Sequence, residues 1–285
     1  MRLKLTQLLI ITVMVSTIGA FVSVLAGPIA RATWLPRLIG VAEAAGQATV
    51  AVSTIPRAAN GKPDLSGFWQ VMNTANIDIQ DHRARSLGEP AGQGVVVESE
   101  IPYQPSALAK KAENFKNRAT ADPELKCNMP GVPRIMYKPF PFQIIQQPDL
   151  VTMLFEYDHN IRYIYTDGTT HPRGPLEWWM GDARGKWEGD TLVVDMTYFN
   201  DEPWFDRAGN FHSKNMHLVE RYSYADADHI TYEATIEDPT VFTKPWKMSM
   251  ILNRRKEKNF RLLEYPCETF EIEKYYPYPE LAGEN

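Results

Sequence analysis

His229–Glu237 reads HITYEATIE. Ile230, Tyr232, Ala234 and Ile236 alternate with Thr231, Glu233, Thr235 and Glu237, so a period of two sets an apolar face against a wet one. That period belongs to an extended strand buried on one side, as in an antiparallel sheet. Working outward, it recurs at residues 142–146, 150–157, 161–165, 191–199, 216–224, 246–252 and 260–265. With residues 67–72 that makes about nine strands. The connections QPD, DHN, EGD and NRRKEKN are short and rich in turn formers, as hairpins require.

Sequential short strands joined by tight turns predict a mainly β fold built as an antiparallel meander. Its edges must be closed or covered, and a closed or nearly closed barrel is the economical answer. One segment breaks the pattern. Residues 105–119, PSALAKKAENFKNRA, predict a short amphipathic helix on the outside, with an apolar stripe at Leu108, Ala112 and Phe115. Pro123, Pro130, Pro133, Pro139 and Pro141 then make the following stretch irregular.

Gly67-Phe68-Trp69 resembles the G-x-W of the first strand in lipocalins and related calycin barrels. That resemblance implies a calycin-like barrel with Trp69 plugging its floor. The chain departs from the lipocalin pattern by its insertion at 80–140 and by lacking an evident C-terminal helix. A second resemblance rests on GKPDLSGFW, CNMPGVPR, RGKWEGDTLVVD, FND, WFDRAGNFHS and HLVERY. These motifs resemble those of a functionally uncharacterised family of exported bacterial proteins and span nearly all of residues 61–267. The resemblance implies a single domain and brings no activity with it.

The 285 residues are 44% hydrophobic, ample for a core. A formal net charge of -5, with Lys and Arg scattered, offers no field for a nucleic-acid partner. Arg2 and Lys4 precede an uncharged run of 22 residues at 5–26. Its small terminal residues Val24-Leu25-Ala26 suit signal cleavage, and its length also suits an uncleaved anchor, the only route to a membrane contact. Either way the rest is exported, to the periplasm or beyond. Residues 27–60 read as a linker and 61–285 as one β-rich domain. Cys127 and Cys267 are the only cysteines. In an oxidising compartment they predict a disulfide; the alternative is two unrelated buried thiols.

The stretch at 204–222, WFDRAGNFHSKNMHLVERY, concentrates ionisable groups. Alternation puts Met216, Leu218, Glu220, Tyr222 and Tyr224 on an apolar face, and His217, Val219, Arg221 and Ser223 on the other. A carboxylate on a core face either has a raised pKa suited to acid-base work or pairs internally, here with Arg162 or Arg184. Asp206, His212, His217 and Glu220 are therefore the catalytic candidates. The plainer reading has Asp206 capping the Gly209-Asn210 turn and His212 bonding to backbone. His171 offers a third imidazole, but the spacing does not aim three ligands at one point, so neither a metal nor a cofactor is assigned. Residues 166–186, with Trp178 and Trp179, are longer and more aromatic than a hairpin needs, and are read either as a lid over a barrel mouth or as packing on its wall.

Signatures of serine hydrolases, P-loops, dinucleotide folds and zincins are missing from the chain. The sequence therefore points to a barrel whose cavity binds a small apolar or amphipathic molecule, through Trp69, Arg162, His171, Trp178, Trp179 and Tyr222. The alternative is an isomerase, lyase or hydrolase using an acid-base site in the same cavity. Geometry discriminates: an enzyme requires Glu220 and a histidine in one cavity with no neutralising arginine in reach.

Overall fold

Among the described residues the fold has nine strands. In order they are β1 (Gly67–Val71), β2 (Phe142–Gln146), β3 (Leu150–Phe155), β4 (Ile161–Tyr165), β5 (Asp182–Glu188), β6 (Thr191–Thr197), β7 (His217–Asp226), β8 (His229–Glu237) and β9 (Trp246–Arg254). Each pairs with the next, and β1 pairs with β9 through Trp69 and Arg254, Gln70 and Asn253, and Val71 and Leu252, so the sheet closes as a barrel. The computed structural model describes residues 54–85 and 89–267. The run at 5–26, most of the expected linker and the end of the chain after Cys267 lie outside them. Among the described residues no helix is long and apolar enough to cross a membrane.

Two expectations about strands change. Residues 260–265 form no strand; only Tyr265 makes an isolated bridge, to Tyr157. The reason is closure, because β9 already uses β1 as its second neighbour and leaves no ladder for another strand. Conversely, β5 takes in residues 182–186, which were expected to end the 166–186 loop. The meander is also mixed rather than wholly antiparallel: β4 and β5 are parallel and joined at one bridge, Tyr165 to Arg184. The chain between them must therefore run back along the barrel before β5 begins.

The inward faces make the core. Trp69, Ile144, Val151, Met153, Ile164, Leu192, Val194, Leu218, Ile230, Ile236 and Leu252 are all at 1% exposure or less. A barrel of this size is just wide enough for side chains to fill it. Trp69 donates its indole N–H to the Leu65 carbonyl at 2.9 Å, and the Arg254 guanidinium lies 4.2 Å from its ring centre. Arg254 also donates to the Ser66 carbonyl and the Tyr224 hydroxyl, which ties the barrel seam together.

Gly67 makes that closure possible. Its φ is +137°, and a Cβ there would lie 2.5 Å from Arg254 Nη1. Gly67→Ala should therefore cost at least about 1 to 3 kcal/mol from backbone strain alone. The guanidinium unfolding midpoint reads this directly, and an unchanged midpoint would contradict the strain assigned to the positive φ at Gly67.

Among its described residues the insertion forms one α-helix, α1 (Pro105–Ala121), with Pro at its first turn. It buries Ala107 rather than the expected stripe; Leu108 is 50% exposed and Phe115 is 36% exposed. The proline-rich stretch after it holds two short 3-10 turns, Pro123–Lys126 and Arg134–Tyr137. Cys127, which follows the first, is disulfide-bonded to Cys267 with a Cα–Cα distance of 5.5 Å. The second turn is fully buried and delivers Met136 against the inward groups of β4 and β7. Residues 54–60 are not free either, because Arg57 forms a two-bond pair with Asp190 at 2.6 Å.

Candidate functional site

Glu220 lies on the inward face of β7, as alternation requires, with no exposure. Arg162, inward on β4, meets it with both terminal nitrogens; one contact is 3.1 Å and the other joins Nη2 to Oε2. Tyr232 donates to Glu220 Oε1 at 2.7 Å, and Tyr222 and Arg162 share a contact of 3.1 Å. Met136 and Met196 sulfurs lie against the terminal nitrogens, while Arg162 Nε has no hydrogen-bond partner. Burial opposes the charge on Arg162, but the Glu220 carboxylate beside it overrides that and holds its pKa above the ordinary value. Burial pushes the Tyr222 and Tyr232 phenols up, so both are protonated donors. Of the two readings of Glu220, this arrangement is the internal ion pair with Arg162, and Arg184 takes no part.

The other acidic and imidazole candidates lie elsewhere. Asp206 is buried in its own turn, accepting from Ile79 N–H at 2.9 Å and from the Asn210 backbone and side chain at 3.1 and 2.6 Å. Burial, with help from the charge on Asp78, pushes its carboxyl up to about 7. His212 is buried between the rings of Phe199 and Phe205, with Nδ1 on the Ser213 carbonyl at 3.0 Å. Burial lowers its pKa, so the ring is neutral. His217 is on the outer face, 2.6 Å from Asp195. Asp206, His212, His217 and Glu220 do not converge on one cavity.

The ligand-binding candidates divide in the same way. Trp69 and Tyr222 are core residues inside the barrel, and Arg162, buried with them, also lines the outer cleft between β4 and β5. His171, Trp178 and Trp179 lie outside, on the chain between β4 and β5. That segment is strapped down rather than poised as a lid. Trp178 N–H donates to the Tyr198 carbonyl at 2.8 Å, Asn200 N–H donates to the Trp178 carbonyl at 3.0 Å, and Tyr198 donates to the Pro172 carbonyl at 2.8 Å.

Where β4 and β5 diverge beyond their single bridge, the outer wall opens into a cleft of about 420 Å³. Ile161, Tyr163 and Tyr165 of β4 form one side, and Trp178 and Trp179 the other, with Met129 at the margin. The first three are 48%, 50% and 39% exposed and Trp178 is 39% exposed, an apolar concentration unusual on an outer wall. Polar groups are present at its edge in Glu177 and Asp182. The hydrogen bonds Phe155 N–H to Asn160 carbonyl and Thr166 N–H to Asp149 carbonyl assign the even-numbered peptides of β4 to β3. Those of Ile161 and Tyr163 then face the cleft, where no ladder pair joins them to β5.

The aromatic wall of β4 was missed in the sequence, although a signal was there. In IRYIY the arginine sits inside and the two tyrosines outside, an inversion of the usual pattern for a half-buried strand. Among the described residues no group of three or more His, Cys, Asp or Glu side chains could hold a metal ion. Comparison with family models, with curated proteins and with solved structures gives no match.

Proposed function

We propose that this is an exported binding protein, with the barrel as rigid scaffold and the cleft between β4 and β5 as the site for a small amphipathic ligand. The observation that carries the reading is the placement of Ile161, Tyr163, Tyr165 and Trp178 around one concave space while the barrel interior is packed. Aromatic faces supply apolar area with little conformational entropy to lose, and the cleft-facing peptides of Ile161 and Tyr163 supply directional polar contacts. Export is supported by the N-terminal run and by the disulfide, which suits an oxidising compartment. The acid-base alternative lacks a convergent pair, since Arg162 neutralises Glu220 and the nearest candidates lie in separate environments.

A fluorescent naphthalene-sulfonate dye, apolar with one charged end, serves as the probe. Trp178→Ala should weaken its binding by about 10- to 100-fold, the worth of burying one large apolar side chain. The unfolding midpoint should hardly move, because Trp178 is partly exposed. Equal affinity in wild type and variant would overturn the placement of the site.

A further inference from the structure

We propose that the end of this chain regulates the outer cleft: residues 269–273 lie along β4 as an added strand and compete with the ligand, a regulation that rests on that cleft being the ligand site. Three features meet there. The chain leaves the described residues beside the cleft, the cleft offers an unpaired strand edge, and the sequence after Cys267 has the pattern such an edge accepts.

Cys267 is fixed beside the turn that leads into β4. Its N–H donates to the Asp158 carboxylate at 3.2 Å, and Asp158 N–H donates to the Tyr265 carbonyl at 3.0 Å. Asp158 stands just ahead of Ile161, the first residue of β4. The disulfide is a second tether, because Cys127 closely precedes Met129, which lies at the cleft margin. An extended chain covers about 3.3 to 3.6 Å per residue, so Phe270 and Ile272 can stand as far as about 11 and 18 Å from Cys267. β4 itself is about 17 Å long, and the segment that follows Cys267 therefore spans the cleft.

Among the described residues β4 and β5 pair only at Tyr165 and Arg184, and the peptides of Ile161 and Tyr163 face the cleft. Arg162, which also lines it, keeps its buried Nε without an acceptor. An extended segment brings both backbone donors and acceptors to such an edge, the mode by which sheets bind peptides. Phe270 and Ile272 alternate with Thr269, Glu271 and Glu273, the same apolar and wet period that marks β8. In the added strand Phe270 and Ile272 fill the apolar cleft, and Glu271 and Glu273 stay in water. Pro277 and Pro279 have no N–H to give, so the ladder ends before them.

The test uses the full, disulfide-intact chain. Phe270→Ser/Ile272→Ser should bind the naphthalene-sulfonate dye about 10-fold more tightly than wild type, as follows when the open cleft rises from about a tenth of the population to most of it. By NMR, the amides of Ile161 and Tyr163 should exchange slowly in wild type and fast in the variant, while exchange in β7 and β8 is unchanged. A synthetic peptide of residues 268–276, added to the variant, should slow that exchange again and displace the dye. Equal exchange of the two amides in wild type and variant would overturn the added strand, whatever the dye does. Protection that grows with protein concentration would put a second copy's tail on β4 and overturn the contact within one chain. Exchange released by the variant, with a dye affinity that Trp178→Ala does not change, would keep the strand and overturn the cleft as the ligand site.

Discussion

Glu220→Gln should destabilise the barrel by about 3 to 5 kcal/mol, because it strands the buried Arg162 charge without its counter-charge. The shape is preserved, and the amide oxygen can still accept from Tyr232, so the loss reports charge rather than packing. The double variant Arg162→Met/Glu220→Gln removes both charges and should recover a large part of the loss, since buried pairs contribute little over neutral groups of similar volume. Denaturant unfolding of the three variants closes a double-mutant cycle. A single variant within about 1 kcal/mol of wild type would mean that Arg162 finds another partner or water.

The second large effect concerns the disulfide. Cys127 and Cys267 are 140 residues apart, so the bridge shortens the unfolded chain's freedom by about 4 to 5 kcal/mol in the chain-entropy model. It joins the irregular segment after α1 to the end of the described chain. That end is otherwise held by Cys267 N–H to Asp158 at 3.2 Å and Asp158 N–H to the Tyr265 carbonyl at 3.0 Å. Oxidised protein should therefore unfold at markedly higher denaturant than the Cys127→Ser/Cys267→Ser variant. A thiol assay on denatured, unreduced protein should find no free thiol; two titratable thiols would remove the bridge from the account.

Most strands that were legible in the sequence carry an inward apolar residue at every second position; β4 is the exception, with Arg162 inside and Tyr163 and Tyr165 outside. HITYEATIE buries Ile230, Tyr232, Ala234 and Ile236, as its pattern requires. β5 escaped because Asp182, Arg184, Lys186 and Glu188 alternate with only Ala183, Gly185 and Trp187, and the glycine erases the apolar signal at its centre. Gly185 is there for space, since a Cβ would come within 2.9 Å of Ile164 and Thr166 side chains. Residues 260–265 misled for the opposite reason: a strand-like composition cannot pair once β9 has closed on β1.

The site was legible only in pieces. Alternation correctly put Glu220 inside and His217 outside, and the ion pair with Arg162 was one of two readings available from the strand pattern. It could not reveal that β4 and β5 run parallel and diverge, because strand spacing is a property of the closed sheet. Trp178 and Trp179 were therefore readable either as a lid or as packing on the barrel wall; they line a cleft together with β4.

Native mass spectrometry of the protein isolated from the exported fraction of its own host tests the central claim most directly. The wild type should carry a small molecule, Trp178→Ala should lose it, and Tyr222→Phe, altered only inside the barrel, should retain it. Retention by Trp178→Ala with loss from Tyr222→Phe would put the ligand in the barrel interior and contradict the outer cleft as the binding site.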